Sequence, residues 1–395
     1  MFFRSLRKSL RRCMRINRSR SGGLFWLLAL PLLVGLHGCA DDTKVKTTSE
    51  EPVLEDVPKF LYVANRGSNN IAGYAIDAQT GALTELGASP FPAGTGPRGL
   101  AVDPAGLFLY AANQTSNDIS AYTIDIDTGT LTPTEPAAFS AGTAPKSLVV
   151  DPSGSFLYVS NNGSGNVSGY TIDEESGKLA EMPASPFAAF AGLEGIAANP
   201  LYPFIYVASL SGDNVSAFAI IQTSGSLALV IGSPFVAGNG AASVAVDPAG
   251  EYLYTVNTIG DDISALTVDA GSGSLTALTP PTFAAGNSAR WVTIHPSGLF
   301  LYATNDLSND IHAYNLIGTT GALSPALGSP FAAGAAPYFA IVDETGQFLY
   351  ATNSTSGDVS AYTIDPDTGA LTAVAGSPFP AGANPESAVM VYGPE

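Results

Sequence analysis

The sequence predicts an all-β fold, a seven-bladed β-propeller with four antiparallel strands in each blade. Three observations predict it. The tyrosines Tyr62, Tyr110, Tyr158, Tyr206, Tyr254, Tyr302 and Tyr350 follow one another at intervals of 48 residues. The glycines Gly81, Gly129, Gly177, Gly225, Gly273, Gly321 and Gly369 keep that interval, as do Phe91, Phe139, Phe187, Phe235, Phe283, Phe331 and Phe379. Self-similarity at a fixed period of this size marks an architecture in which each repeat is one supersecondary unit.

Each repeat divides into four short runs. Over residues 145–182 they are "KSLVVD", "FLYVSN", "NVSGYTID" and "KLAEM", separated by Asp-Pro-Ser-Gly, Asn-Gly-Ser-Gly and Glu-Glu-Ser-Gly. Alternating or apolar runs of this length between turn formers are strands joined by hairpins. Four strands per unit, repeated seven times, make a propeller. The periodic glycine supplies the left-handed residue that the third hairpin needs. The periodic Tyr and Phe are expected between blades, each burying on the order of 150–250 Å². The blade over residues 193–236 is the least regular. There "NPLYPF" replaces an Asp-Pro-x-Gly turn and Ile221 replaces the usual Asp, but the period survives.

The ring is expected to close with its own C-terminal strand. The repeating part opens on the second-strand motif "KFLYVAN" and ends on "ESAVMVYG", which aligns with the first-strand motif "RGLAVDP". The last strand then becomes the innermost strand of the blade whose other strands come from residues 59–91. Such closure removes free sheet edges.

The N-terminus carries different information. Eight basic residues lie within the first twenty positions, followed by the apolar run "LFWLLALPLLVGLHG" and Cys39. A basic segment followed by a short apolar one is an export signal, and the run is short for a spanning helix. Leu36-His37-Gly38-Cys39 resembles the bacterial lipobox, with His37 in place of a small residue. The expectation is a lipoprotein signal peptide over 1–38, lipidation at Cys39, an acidic tether over 39–58 and the propeller over 59–395. An ordinary signal or an uncleaved anchor is the alternative, and Met1 and Met14 are the two alternative translation starts. Ala40 rather than Asp follows Cys39, which favours the outer membrane.

With 46% hydrophobic and 13% charged residues, the chain can build a large core. The formal net charge is −18; removing a leader with eight basic and no acidic residues leaves −26. So acidic a surface repels phosphate backbones, which excludes nucleic acid as a partner. Cys39 is the one cysteine left after cleavage, so no disulfide is expected. A monomer is expected, with no cofactor.

Beyond Lys59 the chain holds only five basic residues, Arg66, Arg98, Lys146, Lys178 and Arg290. Three of them share one register of the repeat: Arg98, Lys146, Glu194, Ala242, Arg290, Tyr338 and Glu386. This position opens the innermost strand, on the face where the loops between second and third strands emerge. The seven residues should therefore ring the mouth of the central channel, with Glu386, Arg98, Lys146 and Glu194 along one arc. Exposed ion pairs stabilise by only about 0–1 kcal/mol, so stability alone is a poor reason for charge here. Convergent charge in a concavity suits a small anionic or sugar-like ligand, or a partner protein, with Arg98, Lys146, Glu194, Arg290, Tyr338 and Glu386 as its ligands. Calcium at Asp261, Asp262, Asp306 or Asp310 is the weaker expectation, since the loops lack an EF-hand-like spacing. No metal site is expected. Asp103, Asp151, Asp247 and Asp343 belong to tight turns on the opposite face.

The motifs "LYVANxGSNNIxxYxID", "GSPFxAGxxP" and "LAVDPxGxFLY" resemble the seven-bladed lactonase-like propellers, also known as YVTN repeat proteins, over residues 60–391. That group includes a type of bacterial 6-phosphogluconolactonase and carboxymuconate-lactonising enzymes. The resemblance implies a site at the channel mouth built from charged Arg, Glu and His groups. This chain offers no histidine there: His295 lies in the turn "TIHPSG" on the far face, and His312 replaces a small residue of the third strand and is expected at the surface. No Ser-His-Asp or Cys-His pair can be assembled. Lactone hydrolysis would require Glu194 or Glu386 as base, with Arg or Lys stabilising the oxyanion. Each Glu neighbours a cation in the ring, which favours the ionised carboxylate and weakens it as a base. Two functions stay open: a lipid-anchored binding propeller, or a lactone hydrolase acting outside the cytoplasm.

Overall fold

In the computed structural model, residues 56–394 are described. Seven antiparallel sheets surround a central channel, and there is no helix among the described residues. The all-β, seven-bladed expectation holds. The innermost strands are Pro97–Val102, Pro145–Val150, Leu193–Ala198, Ala241–Val246, Ala289–Ile294, Pro337–Val342 and Pro385–Pro394.

The last of these closes the ring. Pro385–Pro394 pairs with Asp56–Asn65, from Asn65↔Pro385 to Asp56↔Pro394. That pairing draws Asp56, Val57 and Pro58 into a strand, so the sheet begins three residues before the expected boundary at residue 59. The signal segment, Cys39 and the tether up to residue 55 lie outside the described residues.

The outer strand also departs from expectation. In five blades it is two pieces, as in Leu83–Glu85 and Phe91–Pro92, both paired with Asn70–Ile76. Between the pieces the Ser89 hydroxyl accepts the Gly73 amide at 3.1 Å, satisfying a donor that the interrupted strand leaves free. Only Leu131–Ser140 and Leu275–Ala284 run unbroken, each with a register shift.

Two registers that the sequence displays separately prove to be one contact. The Tyr62 hydroxyl donates to the Gly129 carbonyl of the next blade at 2.7 Å, and the same bond recurs around the ring to Tyr350 and Gly81 at 2.9 Å. All seven tyrosines are fully buried. A buried phenol requires such a partner, and here one bond satisfies it and fixes the offset between blades. The glycine is required twice over. Gly177 has φ +69°, and a Cβ there would lie 2.3 Å from the Phe108 ring of the preceding blade. The core is accordingly a series of clusters shared by neighbouring blades. The periodic phenylalanines are less uniform than expected: Phe91 and Phe187 are buried, the other five half-buried.

On the far face, the Asp103 carboxylate accepts the Leu107 and Phe108 amides at 2.6 and 2.7 Å. Asn199 takes this place in the irregular blade, accepting the Leu201 and Tyr202 amides at 3.0 Å. His295 takes it in another, with Nε2 2.9 Å from the Gly346 carbonyl and Nδ1 2.7 Å from the Ser297 hydroxyl. These turn residues are structural, as expected.

Candidate functional site

The innermost strands start at the same level, so the register holding Arg98 converges on one end of the channel. All seven of its residues line a single cavity with about 420 Å³ of empty space, counting space open to solvent.

Arg98 lies across the middle. Its Nε is 3.3 Å from Glu386 Oε2, and its Nη2 is 3.7 Å from Glu194 Oε2, two blades away. Nη1 donates to the Gln114 side chain at 3.3 Å, and Nη2 donates to the Tyr338 hydroxyl. Lys146 Nζ binds Glu194 Oε1 at 2.6 Å, and Asn162 donates to the same oxygen at 3.2 Å. Arg98, Lys146 and Glu194 are only 11–12% exposed, and Glu386 6%. Glu386 Oε2 faces Arg98 as an ion pair but makes no hydrogen bond among the described residues. Arg290 is more open, at 28%, with its Nε 3.3 Å from Asp306 Oδ2.

Burial and neighbouring charge together set the proton affinities here. Desolvation alone would lower the Arg98 guanidinium, but Tyr338, Glu386 and Glu194 outweigh it and raise its pKa. Lys146 moves down, through burial and then the repulsion of Arg98, against the opposing pull of Glu194. Burial pushes the Tyr338 phenol up, so it remains a neutral donor and acceptor at neutral pH.

Several partners were not foreseen. Arg66 Nη1 reaches Glu386 Oε1 at 3.4 Å. Together with Gln114, Asn162 and Asp306 it occupies a second register of the same 48-residue period, at the end of the second strand. The signal was present, but it sits among Asn, Asp and Gly turn formers that hide it. Position 99 and its equivalents matter too. In this register Gly99, Ser147, Gly195, Ser243 and Ser387 are small, whereas Trp291 and Phe339 are aromatic. The two rings lie 4.4 Å apart between centroids and line the cavity together with Arg290 and Tyr338.

The aspartates considered for calcium have other partners. Asp306 pairs with Arg290; Asp261 accepts the Ser288 amide at 2.6 Å; Asp262 accepts the Asn257 side chain at 2.6 Å. Asp310 accepts Asn305 at 2.8 Å and the Ser308 hydroxyl at 2.9 Å. Among the described residues no group of three or more His, Cys, Asp or Glu side chains is placed to hold a metal ion. His312 is partly buried rather than at the surface, 3.7 Å from Asp310, and burial lowers its pKa.

Comparisons with known proteins agree with this architecture. The family model described as lactonase, 7-bladed beta-propeller matches residues 53–139, 137–192 and 196–384. A candidate 6-phosphogluconolactonase of Bacteroides fragilis superposes with a TM-score of 0.72 at 19% identity, covering 85% of this chain and 98% of that one. The periplasmic gluconolactonase of Pseudomonas aeruginosa gives 0.72 at 17% identity, over 84% and 98%. Hydrazine synthase of Kuenenia stuttgartiensis gives 0.60 at 17% identity, over 81% and 99%. Likeness at this identity shows the fold, and the fold hosts unrelated chemistries. No curated protein matches the sequence.

Proposed function

The chain belongs to the seven-bladed β-propeller lactonase family, and from that premise we propose that it is an exported, lipid-anchored propeller whose channel mouth binds a small anionic or sugar-like ligand. One observation carries this reading: Arg98, Lys146, Arg290, Glu194, Glu386 and Tyr338 converge on one cavity in an otherwise acidic protein. Guanidinium and ammonium groups match a carboxylate, and the glutamates, Asn162 and Gln114 match hydroxyls.

Hydrolysis of a lactone is the second reading, favoured by the family and by the two glutamates. A glutamate would take a proton from water as the oxygen attacks the lactone carbonyl. Arg98 or Lys146 would hold the oxyanion, and the ring C–O bond would then break as its oxygen takes a proton. The geometry favours holding over hydrolysing, because Lys146 occupies Glu194 at 2.6 Å and Arg98 faces Glu386 at 3.3 Å.

The test is calorimetry and turnover with the purified chain, over sugar and aromatic lactones and the acids they yield. Saturable binding with no turnover above the buffer rate is expected. Hydrolysis that falls by about 10²- to 10⁴-fold in Glu194→Gln and Glu386→Gln would install the second reading instead. Absence of both binding and turnover would remove both.

Anchoring rests on the leader and Cys39, and outer-membrane placement on Ala40. The name of the Pseudomonas relative puts that protein outside the cytoplasm, in keeping with an export signal here. Cys39→Ala should leave the protein unlabelled by fatty acid and out of the membrane fraction. Persistence in the membrane fraction would count against lipidation.

A further inference from the structure

The mouth is not equally open to an anion on all sides. Arg98 is occupied by Gln114, Tyr338, Glu194 and Glu386, and Lys146 by Glu194. An anion approaching either must compete with carboxylates already in place. Arg290 differs. It meets Asp306 through Nε, and its two Nη groups have no partner among the described residues. Its guanidinium carbon lies 5.1 Å from the centre of the Tyr338 ring, whose centre lies 5.3 Å from that of Arg98. Tyr338 thus holds Arg290 in place while leaving the outer fork free.

The wall next to Arg290 is also different from the rest. Trp291 follows Arg290, and Phe339 follows Tyr338; the two rings pack on each other, 4.4 Å between centroids and tilted by 36°, with Phe339 buried and Trp291 half-buried at the cavity. Elsewhere the cavity wall at this level is Gly99, Ser147, Gly195 and Ser387. A single stability-driven solution would repeat around the ring, as the buried tyrosines do. Instead two adjacent blades contribute a packed aromatic pair, with Trp291 half-buried at the cavity and Arg290, held by Asp306 through Nε, next to it in the strand.

We propose that Arg290 and Trp291, backed by Phe339, form an orienting subsite that receives a ring-bearing carboxylate, the carboxylate on the Arg290 fork and the ring against Trp291. This rests on the mouth being a ligand site, and it names the class of ligand. A guanidinium fork fits a carboxylate with two parallel hydrogen bonds, and an aromatic surface rewards a flat ring over an open chain.

Trp26 and Trp291 are the only tryptophans, so the full chain carrying Trp26→Phe reports on this subsite alone by fluorescence. Glucuronate, gluconate, methyl glucoside and benzoate serve as probes: a ring acid, an open-chain acid, a neutral ring and an aryl acid. Glucuronate or benzoate should change Trp291 emission saturably, at the concentration where calorimetry shows binding. Either should bind about tenfold more tightly than gluconate and methyl glucoside. Arg290→Ala should remove that advantage. By calorimetry, Trp291→Leu should weaken binding roughly three- to tenfold, with Trp291→Phe restoring most of it.

Whichever ring acid binds more tightly tells a sugar ring from an aromatic one, and either answer supports the subsite. Calorimetric binding that leaves Trp291 emission and the Arg290→Ala affinity unchanged would overturn it while sparing the ligand site. Equal affinity for gluconate and glucuronate would do the same. No heat from any probe would take away the ligand site, and this subsite with it.

Discussion

Removing residues 385–395 is expected to leave a chain with no cooperative unfolding transition. The strand Pro385–Pro394 is the inner partner of Asp56–Asn65 and lies between Pro97–Val102 on one side and Pro337–Val342 on the other. Without it the ring is open, and the inner edge of the first blade presents unpaired backbone groups. Ala388, Met390 and Val391 leave the core with it, and Phe60, Leu61, Tyr62 and Val63, all 4% exposed or less, lose their cover. Burying a large apolar side chain stabilises by about 1.5–3 kcal/mol, so exposing several costs on the order of 10 kcal/mol. That is comparable with the whole stability of an ordinary domain, about 5–15 kcal/mol. A control separates loss of the strand from loss of its attachment point. Since Asp56 pairs with Pro394, the strand can be moved in front of residue 56 through a short hairpin, giving new termini at residues 384 and 385. This permuted chain should melt like the parent, by circular dichroism and by urea titration. A truncated chain that melts normally would show that the ring does not depend on its closing strand.

The closing strand and the blade count could be read from the chain because both are matters of period, and a period survives any substitution that keeps the turns. What a period does not reveal is which registers of neighbouring blades meet. The Tyr62 and Gly129 series were both visible, yet their contact joins residues 67 apart and follows only from the blade-to-blade offset. The mouth shows the same division. Convergence of the Arg98 register followed from its place at the start of the innermost strand. The pairing did not, because a long side chain can cross the channel: Arg98 passes its neighbours to reach Glu194 and Tyr338. Arg290, which sequence placed on a par with Arg98, instead meets Asp306 through Nε and keeps both Nη groups free of hydrogen bonds among the described residues. Trp291 went unnoticed because one aromatic in a strand normally means core; it does pack against the core at Phe339, and only its place at the cavity sets it apart.

Arg98→Ala is expected to destabilise the fold by about 3–5 kcal/mol, the cost of removing one partner from a buried ion pair. Glu386 is 6% exposed, and its Oε2 has no hydrogen bond besides facing Arg98. Its remaining cation, Arg66, is 43% exposed and 3.4 Å from the other oxygen, which makes it a weak substitute. Glu194 fares better, since Lys146 stays 2.6 Å away. The double variant Arg98→Met, Glu386→Gln should recover most of the loss, because it removes both charges and leaves a side chain of similar length in the channel. Urea unfolding of the parent, Arg98→Met, Glu386→Gln and the double variant gives the coupling between the two sites. A double variant within about 1 kcal/mol of the parent would mean that charge at the mouth contributes little net stability. The propeller would then fold as well without it, and the retention of Arg98 and Glu386 would have to be explained by what the mouth binds. If the double variant stays as unstable as Arg98→Ala, the network is a structural clasp, and the argument from converging charge to a ligand loses its force.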